Sequence, residues 1–209
     1  MKSSKLRLIV ALLMVGVILF SFASCKKDET PETPTRPALT QEELIPILID
    51  AKIKNNDYVL LSNSFIDYNK VFEQVATARG QNIVEVYRTL AAECGTTING
   101  YLEYRKIKCS DDTANKIVYG ADYKVEYEII STYNYEAEEI EMFKTETETK
   151  LQAMGLSLEE HFDSSKVTEV YEVEYTYTIS GMMNSREDRG YVIICKYDGA
   201  WRYAEISGV

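Results

Sequence analysis

The segment YVIICKYDGAWRYAEI, residues 191–206, constrains the fold more than any other part of the 209-residue chain. Asp198 and Gly199 separate two apolar runs, and both residue types accept the positive φ angles of a two-residue hairpin turn. Such a turn pairs Tyr197 with Ala200. The register then continues with Cys195 opposite Arg202 and Ile193 opposite Ala204. Because the run before the turn is apolar on both faces, we expect its strand to lie inside a sheet.

Two earlier segments alternate apolar and polar residues, which is the pattern of a half-buried strand. In ADYKVEYEII, residues 121–130, one side carries Tyr123, Val125, Tyr127 and Ile129. In EVYEVEYTYTI, residues 169–179, one side carries Tyr171, Val173, Tyr175, Tyr177 and Ile179. We also expect a strand over YLEYRKIKC, residues 101–109. These segments predict an antiparallel sheet in the second half of the chain.

The first half of the domain carries helix signals. Thr40 followed by Glu43 is a capping-box pattern at the start of a helix. Pro46 comes soon after it and predicts either a kink or a later start, because proline lacks the amide that the helix ladder needs. A second helix is expected over residues 65–78.

Two further helices have clear ends. Asn82 is a good N-cap and Gly95 a good C-terminal stop for a third helix. A fourth helix is expected within residues 134–162, ended by Gly155. Helices followed by long antiparallel strands predict the α+β fold class.

The closing hairpin also carries a family resemblance. VIICKYDGAWRYAEIS is similar to the last hairpin of the NTF2-like (cystatin-like) superfamily, in which a strand, an Asp-Gly turn and a Trp-bearing strand end a cone-shaped fold. It also looks like the small NTF2-like lipoproteins of gut Bacteroidetes. The resemblance implies N-terminal helices packed against a curved antiparallel sheet, with a cavity that many members use for binding and some for catalysis.

The N-terminus has the composition of an export signal. Lys2, Lys5 and Arg7 come first, and residues 8–23 then carry no charge. A helix that crosses a bilayer needs about 20 apolar residues, so this run is short and typical of a signal peptide. An uncleaved membrane anchor is the alternative.

Cys25 stands where the apolar run ends. Phe22-Ala23-Ser24-Cys25 resembles the lipobox of bacterial lipoproteins. The resemblance implies that residues 1–24 are removed and that Cys25 receives acyl chains such as palmitate, which would anchor the protein in the outer membrane. The following CKKDET resembles the signal of surface-displayed lipoproteins of the Bacteroidetes. An ordinary charged linker is the alternative for that short stretch.

A tether follows the lipid site. Pro31, Pro34 and Pro37 recur at every third position, a spacing that favours an extended polyproline II chain. The sequence therefore predicts three parts, namely a signal peptide over 1–24, lipidated Cys25 with a tether over 25–37, and a single α+β domain over 38–209.

The net charge excludes one class of partner. The chain has a formal charge of −10, and removal of residues 1–24 takes three of its 23 basic residues, which leaves 20 against 33 acidic ones, a balance of −13. Nucleic-acid phosphates require basic surfaces, so we expect no nucleic-acid partner. The expected partners are the membrane, through the lipid anchor, and an unknown small ligand or envelope protein.

Tyrosine is the compositional oddity, with 16 in the chain. Many tyrosines alternate along the expected strands, which indicates an aromatic-lined pocket. The candidate pocket-lining residues are Tyr123, Tyr127, Tyr171, Tyr175, Tyr177 and Trp201. The alternative is that tyrosine is simply a favoured strand residue, whose ring packs while its hydroxyl reaches water.

No catalytic constellation stands out. Glu126, Glu128, Glu172 and Glu174 are expected on one sheet face, where carboxylates could bind Ca²⁺ or move protons, or could form an ordinary solvated face. His161 is the only histidine, which excludes a histidine-rich zinc site. We therefore expect no metal, no cofactor and no enzymatic activity.

Three cysteines remain after Cys25. An exported protein permits a disulfide. The options are Cys109 with Cys195, Cys94 with Cys109, or three free thiols, and the spacing does not choose among them.

The sequence thus predicts a membrane-anchored envelope lipoprotein whose domain binds a ligand or a partner without chemistry. One alternative is an NTF2-like enzyme resembling ketosteroid isomerase or dehydratases, which needs an acid such as Asp122 or Glu172 in an apolar pocket beside a Tyr donor. The other is a structural subunit of an envelope assembly. A carboxylate inside a cavity would favour the enzyme, and a wide exposed tyrosine patch would favour the structural subunit.

Overall fold

The computed structural model describes residues 38–109 and 112–206. The first helix of this part, α1, spans Gln41–Ile53. The predicted capping box is confirmed. Thr40 Oγ1 accepts a hydrogen bond from the Glu43 amide at 3.3 Å, and the Glu43 carboxylate accepts one from the Thr40 amide at 2.9 Å. Pro46 lies inside α1, so the expectation of a later start is wrong.

The other helices follow in a fixed order along the chain. They are α2 Asp57–Ser62, α3 Tyr68–Ala78, α4 Ile83–Cys94, α5 Tyr101–Lys108, α6 Thr113–Tyr119, α7 Ala137–Ala153 and α8 Leu158–His161, with a 3₁₀ turn at Ser164–Lys166. Helix α3 begins later than expected because the Asp67 carboxylate caps it. The predicted ends of α4 are confirmed, since Asn82 accepts hydrogen bonds from two amides of its first turn and Gly95 has a φ of 66°.

Helix α5 corrects the strand that the sequence predicts over residues 101–109. Leu, Glu, Arg and Lys in this segment favour helix locally. Two contacts from α3 then hold it, because the Asn69 side chain accepts a hydrogen bond from the Leu102 amide at 2.9 Å, and Phe72 stacks on Tyr101 with ring centroids 4.5 Å apart. Asn69 therefore acts as a helix cap supplied by another element.

The strands are β1 Lys124–Asn134, β2 Val167–Ser180, β3 Ser185–Tyr197 and β4 Ala200–Tyr203. They form one antiparallel sheet in the order β1-β2-β3-β4. The predicted hairpin is confirmed, with φ of 52° at Asp198 and 77° at Gly199 and with Tyr197 opposite Ala200. Strand β3 lies between β2 and β4, as predicted. The described residues therefore form a mixed fold of helices and an open four-stranded sheet, in the α+β class.

A β-bulge interrupts β1. Ile129 lies opposite Tyr175, while Ser131 lies opposite Glu174, so Ile130 is an extra residue without a partner on β2. Side chains after the bulge therefore point to the opposite face from the one that simple alternation predicts. Tyr133 comes to lie opposite Glu172 as a result.

One sheet face, the α1 face, is covered by helix α1. Val173, Val192 and Ile194 are fully buried there, in one cluster with Leu48 and Ile49 of α1. Alternation along β2 predicts this face correctly, because it places the apolar residues of 171–179 on one side.

The other face, the α7 face, is covered at one end only. Val170 and Cys195 lie opposite each other and are buried in a cluster with Leu151 of α7 and with Phe162. Both faces of β3 are covered around Cys195, as its two apolar faces predict. Further along β2 the same face opens towards solvent, and the space between it and α7 forms a cleft.

Candidate functional site

The six aromatic residues that the sequence singles out do not gather around one cavity. Tyr171 meets Trp201 edge-on with ring centroids 5.4 Å apart, and Tyr175 is buried 6.0 Å from the ring of Tyr177. Tyr127 is exposed on β1. Tyr123 borders a separate cavity of about 460 Å³ near the end of α1.

A cleft with a volume of about 560 Å³ lies between α7 and the α7 face. The β1 bulge brings Tyr133 to it, Tyr135 follows from the connection between β1 and α7, α7 supplies one wall, and the segment after β4 closes it. The lining residues are Tyr133, Tyr135, Glu139, Met142, Phe143, Glu146, Thr147, Lys150, Glu172, Tyr191, Ile193, Ala204, Glu205 and Ile206.

The start of α7 fixes one carboxylate at this cleft. Glu139 accepts a hydrogen bond from the Glu136 amide at 2.7 Å and another from the Tyr133 hydroxyl at 2.7 Å. The backbone bond and then the tyrosine bond lower the pKa of Glu139. Glu139 is therefore ionised at neutral pH, and the same contacts join β1 to α7 across the connection between them.

Glu172 is held by a second tyrosine. The Tyr135 hydroxyl donates to Glu172 Oε2 at 3.4 Å. Burial and the adjacent Glu172 charge raise the pKa of Tyr135 to about 12, so the phenol keeps its proton. The sequence names Glu172 as a candidate acid, and it does line the cleft. Asp122, the other candidate acid, is exposed and lies outside it.

Glu205 closes the cleft from the segment after β4. Its Oε2 lies 2.6 Å from Lys52 Nζ, and that ammonium also sits 5.4 Å from the centroid of the Tyr191 ring. The other oxygen, Oε1, is buried with no hydrogen-bond partner within 3.5 Å among the described residues. The Tyr203 hydroxyl is nonetheless a close neighbour, because burial and then the charge and hydrogen bonding of the Glu205 carboxylate raise the pKa of Tyr203. A buried acceptor without a donor is unfavourable. A ligand that brings an N–H group would relieve it.

The charges around the cleft are mainly negative. Glu139, Glu146, Glu172 and Glu205 face one lining cation, Lys150, whose ammonium lies 4.0 Å from Glu146. Tyrosine rings and apolar side chains supply the rest of the surface. This combination suits a ligand with a positive charge and an apolar body, because carboxylates and aromatic faces both attract cations.

Sequence reasoning missed several lining residues, including Tyr133, Tyr135, Glu139 and Glu205. Tyr133 reaches the cleft because the bulge in β1 reverses the side on which it lies, and Tyr135 follows directly after the strand. Two successive apolar residues, Ile129 and Ile130, break the alternation at that point and could have indicated a bulge. No local pattern distinguishes Glu139 and Glu205 from other surface glutamates.

The four strand glutamates share the α7 face, as predicted. Glu126 lies opposite Thr178 and Glu128 opposite Thr176, in line with Glu172 and Glu174 along β2. Both β1 glutamates are exposed. No group of three or more potential ligands among the described residues could hold a metal ion.

The described cysteines are all free thiols. Cys94 and Cys109 are half-buried at the ends of α4 and α5, and Cys195 is fully buried in the sheet. Burial raises the pKa of the Cys195 thiol to about 12, so this thiol stays protonated and unreactive. Cys25 lies outside the described residues.

His161 is buried at the end of α8. One ring nitrogen, Nε2, lies 2.7 Å from Gln74 Oε1, while Nδ1 is buried without a hydrogen-bond partner among the described residues. The Gln74 oxygen can only accept, so Nε2 carries the proton in the neutral ring. Burial lowers the pKa of His161 below its ordinary 6.5. The fold therefore favours the neutral ring.

We expect the stability of the domain to fall as the pH is lowered through 6.5 towards the lowered pKa of His161. In that pH window the unfolded chain binds a proton that the folded chain does not. The full contribution of His161 to the free energy of unfolding is therefore present only above pH 6.5. Urea unfolding at a series of pH values measures this slope, and His161→Gln is expected to flatten it. His161 is the only histidine, so an unchanged slope in the variant would contradict the assignment.

Among residues 38–109 and 112–206, no helix combines the length and the apolar character needed to span a bilayer. Comparisons of this chain with protein-family models, with curated proteins and with solved structures found no match.

Proposed function

We propose that this chain is a lipid-anchored protein of the bacterial cell envelope whose domain binds a positively charged ligand in the cleft between α7 and the sheet. The anchor rests on the lipobox resemblance that ends at Cys25, which also implies attachment to the outer membrane. The α+β arrangement and the closing hairpin support an NTF2-like assignment. Binding without chemistry is favoured because the hydroxyls of Tyr133 and Tyr135 in the cleft already donate their protons to hydrogen bonds with Glu139 and Glu172.

The observation that carries the ligand class is the unpartnered Glu205 Oε1. It is a buried carboxylate oxygen of a residue that lines a concave site of about 560 Å³ together with three tyrosines. Its neighbour Oε2 is occupied by Lys52. A primary amine or a guanidinium would supply the missing donor, while its apolar body would rest on Ile193 and Phe143.

Calorimetric titration with 2-phenylethylamine tests this function, with 2-phenylethanol as a neutral probe of the same shape. We expect heat of binding from the amine only. Glu205→Gln should weaken binding about tenfold, because a charged hydrogen bond becomes a neutral one. Glu42→Gln, on the exposed start of α1, is the matched control and should bind as the unaltered protein does. Equal binding of the alcohol, or no effect of Glu205→Gln, would contradict the proposal.

A second candidate is an isomerase- or dehydratase-type enzyme. The observation in its favour is that Glu172 lies in the cleft beside the Tyr135 hydroxyl, as an acid with a tyrosine donor would. The Tyr135 hydroxyl and the Glu172 carboxylate are hydrogen-bonded to each other, however, so neither group is free to act on a substrate. Turnover that disappears in Glu172→Gln while amine binding persists would favour the enzyme.

A further inference from the structure

The outer edge of β1 is a long strand edge without a neighbour. On one side β1 pairs with β2 along nearly its whole length. On the other side no strand of residues 38–109 or 112–206 pairs with it, and β1 is an end of the sheet order. Exposed edges present unpaired backbone donors and acceptors, and charged side chains on such an edge select against uncharged or like-charged strands while leaving it open to a strand of opposite charge.

The two sides of this edge differ in chemistry. On the α1 face, Tyr127 and Ile129 are 39% and 43% exposed. On the α7 face, Lys124, Glu126 and Glu128 are exposed, and neither glutamate has an ion-pair partner among the described residues. The edge of β4 is different, because the Tyr203 amide donates to the Asn63 carbonyl at 2.8 Å and the segment there covers it.

A second copy of the chain is a poor occupant for this edge. Two antiparallel β1 strands centred on Glu126 would place Lys124 of each copy beside Glu128 of the other, but they would also place Glu126 beside Glu126, and like charges on neighbouring strands destabilise pairing. The whole domain is acidic as well. The excess of acidic residues on this edge and in the chain as a whole therefore opposes self-association, and it favours a basic strand.

We propose that the outer edge of β1 pairs with an extended segment of a partner protein in which apolar and basic residues alternate. The backbone of that segment adds a fifth strand to the sheet. Its apolar side chains lie beside Tyr127 and Ile129, and its lysine or arginine side chains lie beside Glu126 and Glu128. This surface is separate from the amine site at Glu205, so it extends the proposed function to a protein partner.

The test uses a capped nine-residue peptide in which valine and lysine alternate, labelled for fluorescence anisotropy. We expect saturable binding, and hydrogen exchange should show new protection confined to residues 124–134. A peptide of the same composition with contiguous lysines should bind more weakly, because it cannot match both faces of the edge at once. A peptide in which valine and glutamate alternate should not bind.

Charge reversal on the protein gives the matched experiment. Glu126→Lys with Glu128→Lys should weaken binding of the lysine peptide by about tenfold and should create binding of the glutamate peptide. Glu42→Lys with Glu159→Lys changes the net charge equally at exposed sites on α1 and α8, and it should leave both affinities almost unchanged. Both sites on β1 are exposed, and circular dichroism verifies that the fold is kept. No binding of the lysine peptide, equal weakening by the two double variants, or protection outside β1 would overturn the proposal.

Discussion

Cys25→Ala is expected to abolish lipid attachment and outer-membrane localisation of this protein. In the proposed function the Cys25 thiol accepts diacylglycerol, and alanine has no atom that could carry it. Two or more acyl chains hold a protein firmly at a bilayer. A protein without acyl chains could be held there only by an uncleaved signal peptide. Labelled palmitate incorporated by growing cells, followed by membrane fractionation and mass spectrometry of the N-terminus, measures both losses.

The other thiols provide the control for this experiment. Cys94→Ala removes a half-buried thiol of α4 and should keep full palmitate labelling and full outer-membrane localisation. Globomycin, which blocks the lipoprotein signal peptidase, should leave residues 1–24 on the unaltered chain. Palmitate label that persists in Cys25→Ala, or a mature chain that still contains residues 8–23, would contradict the anchor and favour the uncleaved membrane segment.

Features whose determinants are close in sequence could be predicted. The Asp198-Gly199 turn needs only two residues that accept positive φ, and the register of β3 and β4 follows from it. The capping box at Thr40 depends likewise on residues three apart. The α+β class follows once helices and alternating strands are placed in order.

Features that depend on distant contacts could not be predicted. The residues of helix α5 have a local preference for helix. The contacts that hold it there, the Asn69 cap and the Phe72 ring stacked on Tyr101, come from α3 and leave no trace in residues 101–109. The cleft has the same origin. Its walls meet because one extra residue, Ile130, reverses the side on which Tyr133 lies. Alternation alone therefore identifies strand residues correctly but selects aromatic residues that do not line this site.

Gly181→Ala is expected to destabilise the domain by about 2–3 kcal/mol, as overpacking at a site that cannot yield does. A Cβ at Gly181 would lie 1.9 Å from the carbonyl oxygen of Tyr119 and 2.7 Å from its carbonyl carbon. These are backbone atoms at the end of α6, and the same oxygen accepts a hydrogen bond from the Met183 amide at 3.2 Å. Tyr119 is itself buried in the α1-face cluster, so α6 cannot move away without disturbing the core.

Thermal and urea unfolding of Gly181→Ala measure this loss, which corresponds to a fall in Tm of about 4–12 °C for a domain of this size. Gly155→Ala is the comparison. Gly155 has a φ of 77° and no atom within 4 Å of an added Cβ, so its substitution carries only the backbone cost of the left-handed region, about 1–2 kcal/mol. Hydrogen exchange should show faster opening of α6 in Gly181→Ala alone. A Gly181→Ala protein that is as stable as Gly155→Ala, with unchanged exchange in α6, would mean that the tip of the β2–β3 hairpin does not press against the end of α6 in solution.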